Sequence, residues 1–301
     1  NVTLVEPNAA FVSCPLSNLV VGGSKQLSDI TVPYDNLAKR HGVNVVRDMA
    51  VSIDADRRTV KLAGGSELSY DRLILSPGVD FMWDTLPGMG KAGAQDKVLH
   101  AWKAGPQTVA LRRQLEAMPD GGVYALSIPL APYRCPPGPY ERACMIAHYF
   151  KTKKPKSKLV IFDAKKTFSK QPAFEEAFAK YYEGIIDLNL TNEIDDFQVV
   201  RVDPATKEVF TKSGTSLKAD VANIVPPQKA GEIAFKAGCT EGDWCPVKPD
   251  TFASAKVKDV YVLGDSGAPR LRQSGWQGAV LGGARQSRCG VCRRTRCNIR
   301  T

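Results

Sequence analysis

Val123-Tyr124-Ala125-Leu126-Ser127-Ile128 leads, across Pro129–Tyr133, into Arg134-Cys135-Pro136-Pro137-Gly138-Pro139-Tyr140-Glu141-Arg142-Ala143, and this stretch decides the fold. The first run reads as a buried strand. The second opens a helical pattern over Tyr140–Lys151, whose apolar positions are Ala143, Met145, Ile146, Ala147, Tyr149 and Phe150. Prolines and a glycine just ahead of a helical run are a start signal, because the first helical N–H groups lack intrahelical partners and proline has none to lose. Cys135 is therefore predicted near a helix N-terminus, where the macrodipole and free N–H groups favour a thiolate. Glu141 falls in or near the first turn and can trade protons with a group at the sulfur. A thiol and a carboxylate at a strand–loop–helix junction point to a redox or nucleophilic site. The same residues also fit a packed cysteine beside a helix-stabilising glutamate.

Around this junction the patterns alternate. A helical segment, Pro106–Met118, precedes it. The strand Lys158–Asp163 and the helix Pro172–Tyr182 follow, then hairpin material at Gln198–Val202 and Lys207–Thr211. Strand–helix–strand order predicts a Rossmann-like unit. A nicotinamide site would need a glycine-rich phosphate turn after the first strand. Pro129-Leu130-Ala131-Pro132 stands there instead, removing N–H donors, and Cys135 occupies the crevice. This unit is not expected to hold NAD.

Toward the front, Val2–Val5 reads as a short strand ending in Glu6, an acid that can accept ribose hydroxyls as in the second strand of a Rossmann unit. The G-x-G-x-x-G turn belongs roughly 20 residues upstream of that acid and is not in this chain. Cys14 precedes a proline and so belongs to an extended or turning backbone. Tyr34–His41 reads as a helix stopped by Gly42. The strand Val43–Val46 follows, then a meander at Ala50–Asp54, Thr59–Leu62 and Glu67–Tyr70. Leu73-Ile74-Leu75-Ser76-Pro77-Gly78 is a strand running into a tight turn, an order that recurs in flavin-binding α/β domains. Asp84–Asp96 reads as a linker. Ala219–Val225 and Asp259–Leu263 are strands, the second ending in Gly264-Asp265, which can set a carboxylate against a ribityl or phosphate-linked hydroxyl.

The net charge of +10 invites a nucleic-acid reading, but its location argues otherwise. Eight arginines lie in Arg270–Thr301 with no lysine or acid; taking them from the 41 basic residues leaves 33 against 31 acidic ones, a net of +2. Binding of nucleic acid through that tail would call for interleaved aromatics, and only Trp276 is there. Cys289, Cys292 and Cys297 have no fourth ligand at zinc spacing, so no metal is expected. Periodicity is lost from about Arg270, as in a disordered basic tail or a changed reading frame. No apolar run reaches the 18 or so residues of a membrane span. His41, His100 and His148 have no ligand-like spacing and read as structural.

Five motifs in order, Ser13-Cys14-Pro15-Leu16-Ser17-Asn18, Cys135–Ala143, Ile224–Gly231, Trp244-Cys245-Pro246-Val247 and Val262-Leu263-Gly264-Asp265, make residues 1–268 resemble the flavoprotein subunit of flavocytochrome c sulfide dehydrogenase. That family is related to sulfide:quinone oxidoreductases and to glutathione-reductase-type flavoproteins. The resemblance implies an α/β fold with two Rossmann-like dinucleotide-binding domains of the glutathione-reductase type, the first strand of the FAD domain and the C-terminal domain being missing. Residues 1–88 and 219–268 would then be FAD domain, 89–218 a second Rossmann-like domain, and 269–301 an unmatched basic tail. It further implies FAD attached through Cys14, Glu6 on the adenosine ribose, and Pro77, Gly78, Gly264 and Asp265 against the cofactor. Cys135 would be one partner of a redox-active disulfide, and Glu141 the acid that manages protons. The implied reaction is attack of hydrosulfide on that disulfide, a persulfide on one cysteine, and two electrons passed from Cys135 to FAD and then singly to haem c on a cytochrome c subunit, in the periplasm. Cys239 and Cys245 do not match the second redox cysteine. The rival expectation is a sulfide:quinone oxidoreductase with a membrane quinone as acceptor; a non-catalytic fragment or basic binding module is the alternative of another class.

Overall fold

The strand Val123–Ile128 is apolar on both faces because both faces are covered, the mark of a parallel sheet. A computed structural model describes residues 1–190 and 197–269. In it, four parallel strands run in the order Ile186–Leu190, Lys158–Asp163, Val123–Ile128, Val221–Ile224. Tyr124, Leu126, Leu159 and Ile161 point to one side, where the helices Pro106–Ala117 and Gly138–Lys153 bring Leu111, Leu115, Ala143, Ile146 and Phe150. That helical spacing of three and four makes the single apolar stripe predicted for the second helix. Ala125, Phe162, Ala222 and Ile224 point to the other side and meet Val202 and Val209 of the antiparallel meander Val199–Asp203, Glu208–Thr211, Ser216–Lys218.

A second core gathers Ile53, Val60, Leu62, Leu75, Cys239, Cys245, Val260 and Val262. Around it stand the meander Ala50–Asp54, Thr59–Leu62, Glu67–Ser69 and two parallel strand pairs, Thr3–Val5 with Asn44–Val46 and Leu73–Leu75 with Val260–Val262. After the meander the chain crosses to the first core and later returns, and the strands at those two crossings, Val79–Phe81 and Gln228–Ala230, are hydrogen-bonded to each other antiparallel. The helix Ser17–Gly22 packs against Gly138–Lys153 and Pro106–Ala117.

The mixed α/β expectation and most predicted elements stand, with ends shifted by a residue or two. One reading is corrected. Asp84–Asp96 is no loose linker: Leu86 and Met89 are buried against the sheet. Gly88, at φ +98°, passes so close to the Val202 carbonyl that any side chain there would strike it. The helix Ser17–Gly22 carries no sequence signal strong enough to announce it. Leu16 caps it with no side-chain bond, and a six-residue helix is held by packing rather than propensity.

Candidate active site

Two turns lie side by side at the ends of the parallel strands Leu73–Leu75 and Val260–Val262, where Leu263 N–H donates to the Leu75 carbonyl at 3.0 Å. Gly78 and Gly264 are both left-handed, at φ +70° and +78°, and a Cβ on either would meet nothing within 4 Å. That open space is a cradle that a bound group can fill, and the backbone there requires glycine. The Gly78 carbonyl accepts from the Ser266 hydroxyl and from Gly231 N–H at 3.0 Å, while Gly231 presses on Pro77. Asp265 sits in the second turn. Burial pushes its carboxyl up, and the Arg134 guanidinium 3.7 Å away opposes this. Four predicted cofactor residues, Pro77, Gly78, Gly264 and Asp265, are thus brought together. Glu6 extends another strand pair and bonds locally. Its carboxylate accepts from Asn8 N–H at 2.8 Å and from the Asn8 amide at 2.7 Å. Burial and the neighbouring Glu6 raise the Tyr34 hydroxyl.

Arg134 connects these turns to the thiol. Its N–H donates to Gln228 Oε1 at 2.9 Å, its guanidinium to the Trp102 carbonyl, and its own carbonyl accepts from the Trp102 indole at 3.1 Å. Cys135 follows in a left-handed conformation, φ +58°, unusual for a residue with a side chain. Its carbonyl accepts from Gly138 N–H at 2.9 Å. A Cβ at position 138 would lie 3.0 Å from Cys135 Sγ and 3.0 Å from the Trp102 ring, so glycine is needed for close approach.

The expected thiolate does not follow. Burial raises the Cys135 thiol, the nearby Glu141 raises it further, and the Gly138 N–H and Arg134 only partly offset them. Burial is the larger reason, and the sequence adds to it. The helix begins at Gly138, three residues later, and Pro136, Pro137 and Pro139 supply no N–H, so the first turn presents only the Gly138 and Tyr140 donors. Cys135 rests as a thiol and needs a base.

Behind the thiol lies a buried polar cluster that sequence reasoning missed. Arg142 is 1% exposed. It donates through Nε to Asn18 Oδ1 at 3.0 Å, and through its other nitrogens to Asn223 Oδ1 at 2.9 Å and the carbonyls of His100 at 3.0 Å and Ala101 at 2.6 Å. Its guanidinium also lies over the Trp102 ring at 4.8 Å. Burial pulls it down to about 10, and the charges of Cys135, Glu141 and Cys14 act against that. Glu141 accepts from the Asn18 amide at 2.7 Å. Cys14 sits in the turn before Ser17–Gly22, and its sulfur receives Ala104 N–H at 3.4 Å. His100 is buried against Phe81 and Trp83, and its Nδ1 accepts from Trp102 N–H at 2.9 Å. Burial, and then the charge of Arg142, press it down to about 3, so it is a neutral, structural imidazole. The loop His100–Gly105 therefore touches both Cys14 and the Cys135 junction. The missed signal was a helical arginine on the apolar face of Ala143, Ile146 and Phe150.

Cys14, Cys135, Cys144, Cys239 and Cys245 are free thiols. Cys289, Cys292, Cys297 and Trp276 lie outside the described residues. Among the described residues no cluster of three or more metal-ligating side chains forms, and no helix is long and apolar enough to cross a membrane.

Residues 108–226 match the family described as sulfide dehydrogenase (flavocytochrome c) flavoprotein chain, central. This segment is a relative of sulfide-oxidising flavoproteins. The chain is 23% identical over 272 residues to the mitochondrial sulfide:quinone oxidoreductase of Mus musculus, covering 88% of this chain and 59% of that protein. The Dictyostelium discoideum counterpart is 22% identical over 278 residues, with the same coverage. The chain thus spans under two thirds of the length of these relatives. Among solved structures, the sulfide:quinone oxidoreductase of Aquifex aeolicus superposes with a TM-score of 0.70 at 19% identity, over 88% of this chain and 62% of that one. The NAD-dependent persulfide reductase of A. fulgidus gives 0.66 at 18%, over 89% and 49%. The fold is a mixed α/β fold similar to that of FAD-dependent pyridine nucleotide–disulfide oxidoreductases.

Proposed function

We propose that this chain is the flavin-bearing part of a sulfide dehydrogenase, oxidising hydrogen sulfide at Cys135 and passing the electrons to a haem c-bearing cytochrome c subunit in the periplasm. The observation that carries the reading is the Arg134 bridge, which joins the Cys135 junction to Asp265 in the open glycine turn. On this reading residues 1–88 and 219–268 form the FAD domain and 89–218 a Rossmann-like domain that holds no NAD.

The residues present fit FAD. Gly78 and Gly264 leave room for it, Pro77 stiffens the first turn, Asp265 and Glu6 offer carboxylates to its hydroxyls, and Cys14 is the thiol for a covalent bond. When bound, FAD supplies a two-electron acceptor. The chain's own work is to handle sulfur and proton. Cys135, raised by burial, gives its proton to Glu141 and becomes the sulfur nucleophile; in the oxidised state it is one half of the disulfide that hydrosulfide opens. Arg134 and the buried Arg142 balance the negative charge that appears there. Trp102 and Gly138 close over the sulfur and limit water.

A second reading, a sulfide:quinone oxidoreductase, is favoured by the whole-chain likeness to proteins of that name. Acid precipitation separates the two. Flavin that stays with the pellet and maps to the Cys14 peptide, and is released from the Cys14→Ser variant, supports the cytochrome-linked enzyme; flavin released from both moves the assignment to the quinone-linked one. A pellet and supernatant both without flavin would sink either reading for this chain.

A further inference from the structure

Asn18 stands four residues past Cys14 on the short helix Ser17–Gly22, and its side chain is 6% exposed. Both ends of its amide are used. Nδ2 donates to Glu141 Oε2 at 2.7 Å and to the Gly138 carbonyl at 3.1 Å, while Oδ1 accepts from Arg142 Nε at 3.0 Å. Those three contacts fall on consecutive parts of one helix: its first residue, the proton-handling carboxylate and the buried cation. The four hydrogen-bond acceptors of Arg142 are all neutral, and Cys135 and Glu141 are among the groups whose negative charge favours its charged form. An amide suits this position, since one atom carries two donors, for the carboxylate and the Gly138 carbonyl, and the other accepts from the guanidinium.

We propose that Asn18 is a positioning residue for proton exchange between Cys135 and Glu141, holding the carboxylate in place through its amide donor and tying it to Arg142 through its carbonyl. In the exchange the Cys135 S–H bond breaks, the proton passes to a Glu141 oxygen, and the thiolate remains beside Arg134 and Arg142. The groups that bear on Cys135 are Glu141 and Arg142 from the helix that follows it, Arg134 and Tyr133 from the preceding loop and Asp265 from the neighbouring turn. Glu141 in turn bears on Cys144, whose thiol is pushed up to about 11 by burial first and by that carboxylate second. Asn18 also places the Cys14 turn and the Cys135 helix in one hydrogen-bonded unit, so the proposed flavin attachment and the reacting thiol are registered by a single side chain.

The inference rests on Cys135 being the reacting thiol, and its test needs no sulfide. Iodoacetamide labelling of Cys135 in the full chain is followed from pH 4 to 11 by mass spectrometry of the Cys135 peptide. A coupled carboxylate and thiol give two inflections, and the lower one must disappear in Glu141→Gln. Removing a hydrogen bond to the charged form by Asn18→Ala moves that lower inflection up by about one pH unit. The near-isosteric Asn18→Asp keeps the acceptor for Arg142 but turns the donor into a like charge, and moves it further. A residue with only a packing role would lower the melting temperature and leave the inflection where it was; that result, or a lower inflection that survives Glu141→Gln, overturns the proposal. If the alanine variant does not fold, the aspartate variant carries the test alone. Normal labelling profiles with no sulfide oxidation would instead count against the function proposed above, so the two failures are distinguishable.

Discussion

Two strand ends face the same region of this molecule and solve different problems. The turns after Leu73–Leu75 and Val260–Val262 are almost bare: two left-handed glycines with open space before them and one carboxylate. The junction after Val123–Ile128 is crowded, with prolines where a phosphate turn would be, a left-handed cysteine under an indole, and a fully buried arginine behind it. On the proposed function, backbone that approaches a large cofactor is cleared of side chains, and backbone that presents a reacting atom is packed with them. The same kind of unit, a parallel strand followed by a turn, is thereby made into a cradle in one place and a thiol site in the other. Arg134 is the residue that belongs to both.

If the crowded junction depends on its buried polar cluster, breaking that cluster has the largest effect. Arg142→Met leaves Asn18 Oδ1, Asn223 Oδ1 and the Ala101 carbonyl without the donor it supplies and the His100 carbonyl with the Asn223 amide alone, and is expected to destabilise the protein by about 3–5 kcal/mol, read as a lower urea midpoint. A midpoint within error of the parent would show the cluster to be dispensable.

Glycine substitutions sharpen the contrast between the two turns. Gly138→Ala is destabilising by about 1–3 kcal/mol through contact with Cys135 Sγ and Trp102, and removing the sulfur in Cys135→Ala relieves part of it. Gly264→Ala has no neighbour to strike and is destabilising by about 1–2 kcal/mol through its left-handed backbone alone, with no relief from Cys135→Ala. Equal rescue of both by the cysteine variant would erase the distinction.

The smallest effect is on pH. His100 is neutral in the folded chain down to about 3, whereas an unfolded histidine takes up a proton near 6.5, so unfolding binds a proton between those values. Stability from this group is complete above pH 6.5 and falls below it, by about 1.4 kcal/mol per pH unit. His100→Asn, which keeps an acceptor for Trp102 N–H, should flatten the slope of melting temperature against pH between 6 and 5. An unchanged slope would place the acid sensitivity elsewhere.

Much of the fold was legible because it is local. Lys158–Asp163, Thr59–Leu62 and Ala50–Asp54 announce themselves by apolar runs and turn residues, and match their predicted ends. Cys14, Cys135 and Gly264-Asp265 stood out as chemistry-bearing residues beside turn signals. What was not legible depends on residues far apart in the chain. Asn18 looks like any polar residue in a loop until Glu141 and Arg142, more than 120 positions away, close on its two ends. The direction of the Cys135 shift was misread for a related reason: the helix end was visible, but the burial that outweighs it comes from Trp102 and its neighbours. Leu86 and Met89 were hidden in a stretch whose prolines and glycines suggested a tether.

The paired strands Val79–Phe81 and Gln228–Ala230 have a consequence for the history of such a chain. Met82 N–H donates to the Pro227 carbonyl at 2.8 Å, so the segment from Trp83 to Pro226 starts and finishes at one spot. A stretch with adjoining ends can be exchanged for another while the chain on either side stays joined, provided that the contacts the helix Ser17–Gly22 makes with it are replaced too. The open glycine cradle and the crowded thiol junction lie on opposite sides of that splice, which allows one to be kept through descent while the other is replaced.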